Sequence, residues 1–168
     1  MRALIKSKLR GSIAGEIARV MMGSPAARRK ALIIIMNRCR DRGLFNLANF
    51  ISNRLKSRGL YISSRAKISE SVKFPHPIAI VIGEGVVIEE NARIYQNVTL
   101  GGARVGDWEA GRYPTIGAGT VVFAGAVIVG DIKIGKNCVV GANSVVLKDV
   151  PDNAVCVGAP GRVVSVKK

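Results

Sequence analysis

The sequence predicts a mainly β chain wound into a triangular parallel β-helix, with a short basic α-helical region in front of it. Three observations predict this. An aliphatic residue returns every six positions through Ile82, Ile88, Ile94 and Leu100, then through Ile116, Val122, Ile128, Ile134, Val140 and Val146. A small or β-branched residue stands four places after eight of these beats, at Val86, Ala92, Val98, Thr120, Ala126, Ile132, Cys138 and Ser144. Glycine directly follows several beats, at Gly83, Gly101, Gly117, Gly135 and Gly141. Six is neither the helical period nor that of an alternating hairpin strand. It is a solenoid period, about six residues to a face and about eighteen to a coil. The beat residues are expected to fill the prism and the small ones to turn inward near its corners. Ile and Val suit the stacked faces, and the glycines are expected to supply the positive φ of the corners.

Residues 1–60 are expected to form the helical region. Leu4, Ile5, Leu9, Ile13, Ile17, Val20 and Met21 make a helical stripe, with Lys6, Lys8, Arg10 and Arg19 off it. Ser24-Pro25 reads as a cap followed by proline at the first helical position, opening a second helix to about Asp41 with Gly43 as its stop. A third helix, from about Leu44 to Lys56, places Leu44, Leu47, Ala48, Ile51 and Leu55 on one side. Most of the net charge of +15 lies here: fourteen Lys and Arg stand against Glu16 and Asp41. Such a cap would hide the open end of the solenoid, and its charge also suits peripheral contact with an anionic membrane surface or an acidic polysaccharide. No nucleic-acid module is recognisable and only Phe45 and Phe50 are aromatic here, so nucleic acid is not an expected partner. Cys39, Cys138 and Cys156 show no metal or redox spacing, which suits a reduced, cytoplasmic protein, and Cys138 falls on an inward position. No apolar run is long enough to span a bilayer.

The β-helix is expected over residues 61–168. Its beat begins at Ile62, Ile68 and Phe74, but the next step, to Ile82, is two residues too long, so Pro75-His76-Pro77-Ile78 should bulge outward. The step from Leu100 to Ile116 extrudes a longer loop, 102–115, which carries Arg104, Asp107, Trp108, Glu109, Arg112 and Tyr113. Loops on a rigid scaffold commonly carry function. His76 is the sole histidine, stiffened by a proline on each side. An imidazole can take a proton from an alcohol and later return one. One histidine cannot supply a three-histidine zinc site, so no metal is expected. No serine or cysteine sits in a nucleophile motif.

The runs PHPIAIVIGEGVVIEENARIYQNVTLGG and RYPTIGAGTVVFAGAVIVGDIKIGKNCVVGANSVVLKDVPDNAVCVGAP resemble the hexapeptide-repeat, left-handed β-helix acyltransferases. The likeness, over about residues 59–165, is to the serine acetyltransferase-like branch, which includes polysaccharide O-acetyltransferases. It implies acetyl-CoA as cosubstrate and a homotrimer with a site in each cleft between two prisms. It implies His76 as the base that deprotonates an acceptor hydroxyl for direct attack on the thioester, with backbone N–H groups, such as those of the Gly101-Gly102 turn, at the oxyanion. Ala124 and Ala142 match positions lining the pantetheine channel. Lys148 and Arg162, by charge and place, are candidates for the coenzyme phosphates. In the loop, Arg112, Tyr113 and Trp108 are candidate acceptor contacts.

The chain departs from the serine enzymes of that branch. Pro75 and Tyr61 stand where the resemblance implies aspartates, and Tyr113 follows Arg112 where it implies a histidine. Glu84 and Asn97 are the polar candidates to orient His76, with a backbone carbonyl as the other option. The expected acceptor is a sugar hydroxyl on a surface polysaccharide, its precursor or a nucleotide sugar. Free serine is the alternative, and a non-catalytic trimeric scaffold a further one.

Overall fold

The computed structural model describes residues 13–166; the predicted stripe through Leu4, Ile5 and Leu9 lies outside them. Among the described residues three helices come first: α1 (Ile13–Met22), α2 (Pro25–Asp41) and α3 (Phe45–Lys56). Ser24 caps α2, its hydroxyl accepting the Ala27 N–H at 3.3 Å, and Pro25 occupies a first-turn position where no N–H is needed. After Asp41 the chain reverses through Gly43, at φ +75°, and the Leu44 N–H bonds back to the Cys39 carbonyl. The buried face of α3 is Ala48, Ile51, Ser52 and Leu55; Leu44 and Leu47, expected on that side, are about half exposed. The reason is a polar residue turned inward. Ser52 donates its hydroxyl to the Ile62 carbonyl at 2.6 Å, which rotates the packed face away from the leucines.

Fourteen strands follow and form three sheets. One face holds β1 (Leu60–Ile62), β3 (Ile80–Ile82), β6 (Thr99–Gly101), β9 (Val127–Val129) and β12 (Val145–Val146). The next holds β2 (Lys67–Ile68), β4 (Val87–Ile88), β7 (Thr115–Ile116) and β10 (Lys133–Ile134). The third holds β5 (Arg93–Ile94), β8 (Val121–Val122), β11 (Val139–Val140), β13 (Ala154–Val157) and β14 (Arg162–Val166). All pairs are parallel except β13–β14. Ile82 pairs with Leu100, and Ile128 with Val146, each eighteen residues apart. Ile62 to Ile82 is twenty and Leu100 to Ile128 is twenty-eight. The surplus residues are those of the Pro75–Ile78 bulge and the 102–115 loop.

Every beat from Ile82 to Val146 is at most 2% exposed. Burying each such side chain stabilises the fold by about 1.5–3 kcal/mol relative to leaving it in water. The small column is buried with them except Ile132, which is partly buried against the core. Cys138 keeps its place in that column, its Sγ 3.0 Å from the Pro151 carbonyl.

The corners differ from expectation. Positive φ falls three residues after the beat, at Asn91, Asn97, Gly119, Gly125, Asn137 and Asn143, and not at the glycine that follows it. Asparagine tolerates this left-handed conformation because its short polar side chain can hydrogen-bond to the local backbone and offset the Cβ clash. The glycines after the beat make room instead. A Cβ on Gly117 would stand 2.5 Å from the Gly135 carbonyl of the next coil.

Both ends of the coil are covered. Asn37 of α2 donates to the Ile68 carbonyl at 2.7 Å, Arg40 to that of Ala66, and Arg38 pairs with Glu70 at 2.7 and 2.9 Å. At the far end β14 turns back along β13, while the Gly161 N–H bonds Val145 and the Val150 N–H bonds Lys133. Among the described residues no helix is long and apolar enough to cross a membrane.

Candidate active site

The bulge before β3 is a tight turn. The Ile78 N–H donates to the His76 carbonyl at 2.8 Å, closing three residues around Pro77. Three other segments hold the turn. Ala79 N–H reaches the Gly59 carbonyl at 2.8 Å, Asn97 N–H reaches that of Ile78 at 3.1 Å, and Arg29 of α2 donates to that of Pro77 at 3.2 Å. His76 itself is exposed, its ring tilted against Tyr95 at 6.1 Å, and Tyr95 stacks on Phe123 at 5.1 Å. One register position beyond these rings, Gln96, Ala124 and Ala142 stack along the same corner, leading away from His76. The Gln96 side-chain carbonyl is buried with no partner among the described residues.

Neither polar candidate for orienting His76 is bonded to it within the described chain. Glu84 lies at the opposite end of β3 and pairs with Arg65 at 2.5 Å. Asn97 is a left-handed corner residue at φ +59°, and it meets the histidine turn through its backbone N–H. The intervening strand keeps Glu84 away. Tyr95 is the ring neighbour of His76.

The extruded loop is knotted on Asp107, which is 5% exposed. Its Oδ2 accepts the N–H groups of Ala103 and Arg104, each at 2.7 Å, and its carbonyl accepts that of Arg112. Arg112 comes within 3.9 Å of the Asp107 carboxylate but stays exposed, as does Trp108. Tyr113 turns inward and lies over Gly83 and Gly85, where a Cβ would stand 2.8 and 2.4 Å from its ring. This placement makes Tyr113 the loop's anchor on the preceding coil. Burial, then the charges of Glu84 and Asp107, push its phenol pKa above the ordinary value.

The coenzyme candidates fall in three places. Ala124 and Ala142 share the His76 corner. Gly101 and Gly102 lie at the Glu84 corner, with Gly102 so close under Asp107 that a Cβ would meet the aspartate Cβ at 2.8 Å. Lys148 and Arg162 come together in a groove of about 470 Å³ at the far end of the coil. One chain therefore carries the histidine at one corner and the loop with its glycines at the neighbouring one.

Residues 113–148 match the family model described as bacterial transferase hexapeptide (six repeats). A serine acetyltransferase from Buchnera aphidicola subsp. Acyrthosiphon pisum is 40% identical over 124 residues, 73% of this chain and 45% of that protein. A solved serine acetyltransferase in complex with CoA superposes with a TM-score of 0.75 at 34% identity, over 88% of this chain and 60% of its own. The serine acetyltransferase of Neisseria gonorrhoeae gives 0.77 at 29% identity, over 96% and 68%.

The chain belongs to the hexapeptide-repeat transferases.

It lies on their serine acetyltransferase-like branch, and the coil is a left-handed parallel β-helix. The chain spans about half the length of the curated relatives it matches. Within this hexapeptide-repeat chain, sequence reasoning missed Tyr95 and Phe123, Gln96, the Asp107 knot, Arg65 and Arg29. An aromatic directly after the beat in successive coils could have revealed the first pair. The Arg65 and Arg29 partners are distant in sequence and left no local signal.

Proposed function

We propose that this chain is an acetyl-CoA-dependent O-acetyltransferase acting as a cytoplasmic homotrimer, with residues 1–60 as a helical region and 61–168 as the catalytic β-helix. The observation that carries this is the fixed turn presenting His76 at the head of the Gln96, Ala124 and Ala142 column. His76 takes the proton of the acceptor hydroxyl as that oxygen attacks the thioester carbonyl, and returns it to the departing thiolate. Ala124 and Ala142 leave space for an extended chain along the corner, and Lys148 and Arg162 offer cations to phosphates at its end. The Gly101-Gly102 corner of an adjacent subunit supplies backbone N–H groups to the oxyanion. The trimer brings together two corners that a single chain holds apart.

Serine leads as acceptor, because the curated relatives are serine acetyltransferases. A sugar hydroxyl is the second reading. It rests on Pro75 and Tyr61, neither of which offers the carboxylates of the serine enzymes, and on Tyr113, which is occupied as a loop anchor. Thiol release from acetyl-CoA, offered serine in one series and sugars, nucleotide sugars and capsule oligosaccharides in another, decides between them. Turnover with serine alone establishes the first reading. Turnover with a glycan alone establishes the second. No turnover with any acceptor refutes both.

A further inference from the structure

A cleft of about 310 Å³ separates α2 from the His76 turn. Its walls are apolar, from Ile33, Phe74, Pro75 and Pro77, while Arg29, Lys30 and Lys73 stand around it. No carboxylate lines it, and among the described residues none of the three cations is in an ion pair. Arg29 is already oriented by its bond to the Pro77 carbonyl. The volume falls at the lower end of small-ligand sites. Cations gathered round a wall without counter-charges favour an anion, and the apolar wall favours a hydrocarbon body beside it.

The position is as informative as the lining. His76 is flanked by two wall residues, Pro75 and Pro77. The Gln96, Ala124 and Ala142 column leaves His76 toward the far end of the coil, whereas α2 packs at the near end. In direct transfer the attacking hydroxyl stands between the base and the thioester. The rest of the acceptor must then leave on the side that the donor does not fill.

We propose that the cleft between α2 and the His76 turn is the acceptor subsite, and that its acceptor carries an anionic group beside an apolar body, as a lipid-phosphate-linked sugar does. The proposal rests on the second reading above, O-acetyl transfer to a sugar hydroxyl, and specifies the class of that acceptor. A small zwitterion such as serine would leave the apolar wall uncovered. The role of the basic helical region follows: α2 supplies one side of the substrate site.

The test uses the full chain. Dodecyl phosphate, inorganic phosphate and serine are each titrated calorimetrically into the wild type and into the Lys30→Gln/Lys73→Gln variant, with Lys30→Gln alone as a second variant and melting curves to establish folding. Dodecyl phosphate is expected to bind at least about tenfold more tightly than the other two, and to lose at least about tenfold in the double variant. Equal binding of serine or phosphate, or unchanged affinity in the variants, overturns the proposal. In turnover with a lipid-phosphate-linked sugar, the double variant is expected to raise the acceptor KM and leave the acetyl-CoA KM unchanged; a shift confined to acetyl-CoA also overturns it. Absence of thiol release with every acceptor, while dodecyl phosphate still binds through the lysines, refutes the acetyl-transfer reading and leaves the cleft's ligand class in place.

Discussion

Tyr113 occupies the space that a methyl group on Gly85 would need: a Cβ there would stand 2.4 Å from the tyrosine ring. The extruded loop is thus seated by an aromatic plate on a glycine of the preceding coil. Gly85→Ala should push the ring off its seat at a cost of about 1–3 kcal/mol locally, without disturbing the buried beats. Trp108, the sole tryptophan, sits in that loop as a probe. Its fluorescence anisotropy should fall in the variant while the coil's melting temperature holds; unchanged anisotropy would mean the ring is not the anchor.

The same tyrosine gives a pH signature. Burial first, then Glu84 and Asp107, hold its phenol protonated past the ordinary value of about 10. The folded pKa exceeds the unfolded one, so this contribution to stability is complete below that ordinary value and is lost as pH rises through the folded one. Among the three tyrosines, one phenolate should appear late in an absorbance titration. Tyr113→Phe should remove that late phase and flatten the alkaline loss of stability.

His76→Ala separates chemistry from binding. Thiol release should drop by about 10²–10⁴-fold, the usual worth of a general base. Acetyl-CoA at a hundredfold excess over its Kd should still stabilise the variant by about 2.7 kcal/mol. Full activity in this variant would remove the histidine from the mechanism.

The two corners make a mixing experiment possible. His76→Ala damages one corner and Gly102→Trp, which collides with Asp107, the other. Co-expressed chains should recover part of the activity that each variant lacks alone, since some clefts would pair two intact corners. No recovery would place the whole site within one chain.

The interior was legible because packing inside a narrow prism admits one kind of residue per position. Ile62, Ile68 and the beats from Ile82 to Val146 therefore announced their burial, and the two over-long steps announced the bulge and loop. The corners were legible only in spacing. Glycine after the beat looked like a backbone requirement, but at Gly117 the constraint is the coil above it, and the left-handed turns fall to asparagines as readily as to glycines. The face of α3 was misread because Ser52 is drawn inward by a carbonyl on β1, a partner that helix periodicity does not contain. Contacts between segments far apart in the chain left no trace either: Arg29 at the Pro77 carbonyl, Arg65 at Glu84, Tyr113 on Gly85.

A stack of parallel strands has no natural length. Each coil offers the next the same ladder of donors and acceptors, so two such molecules could join end to end and grow into fibrils. Here the first coil's carbonyls are taken by Asn37, Arg40 and Ser52, and the last coil is met by β14 running the opposite way. A reversed strand cannot template another parallel turn. Removing residues 159–168 should therefore harm solubility before it harms the fold, with filaments as the visible product.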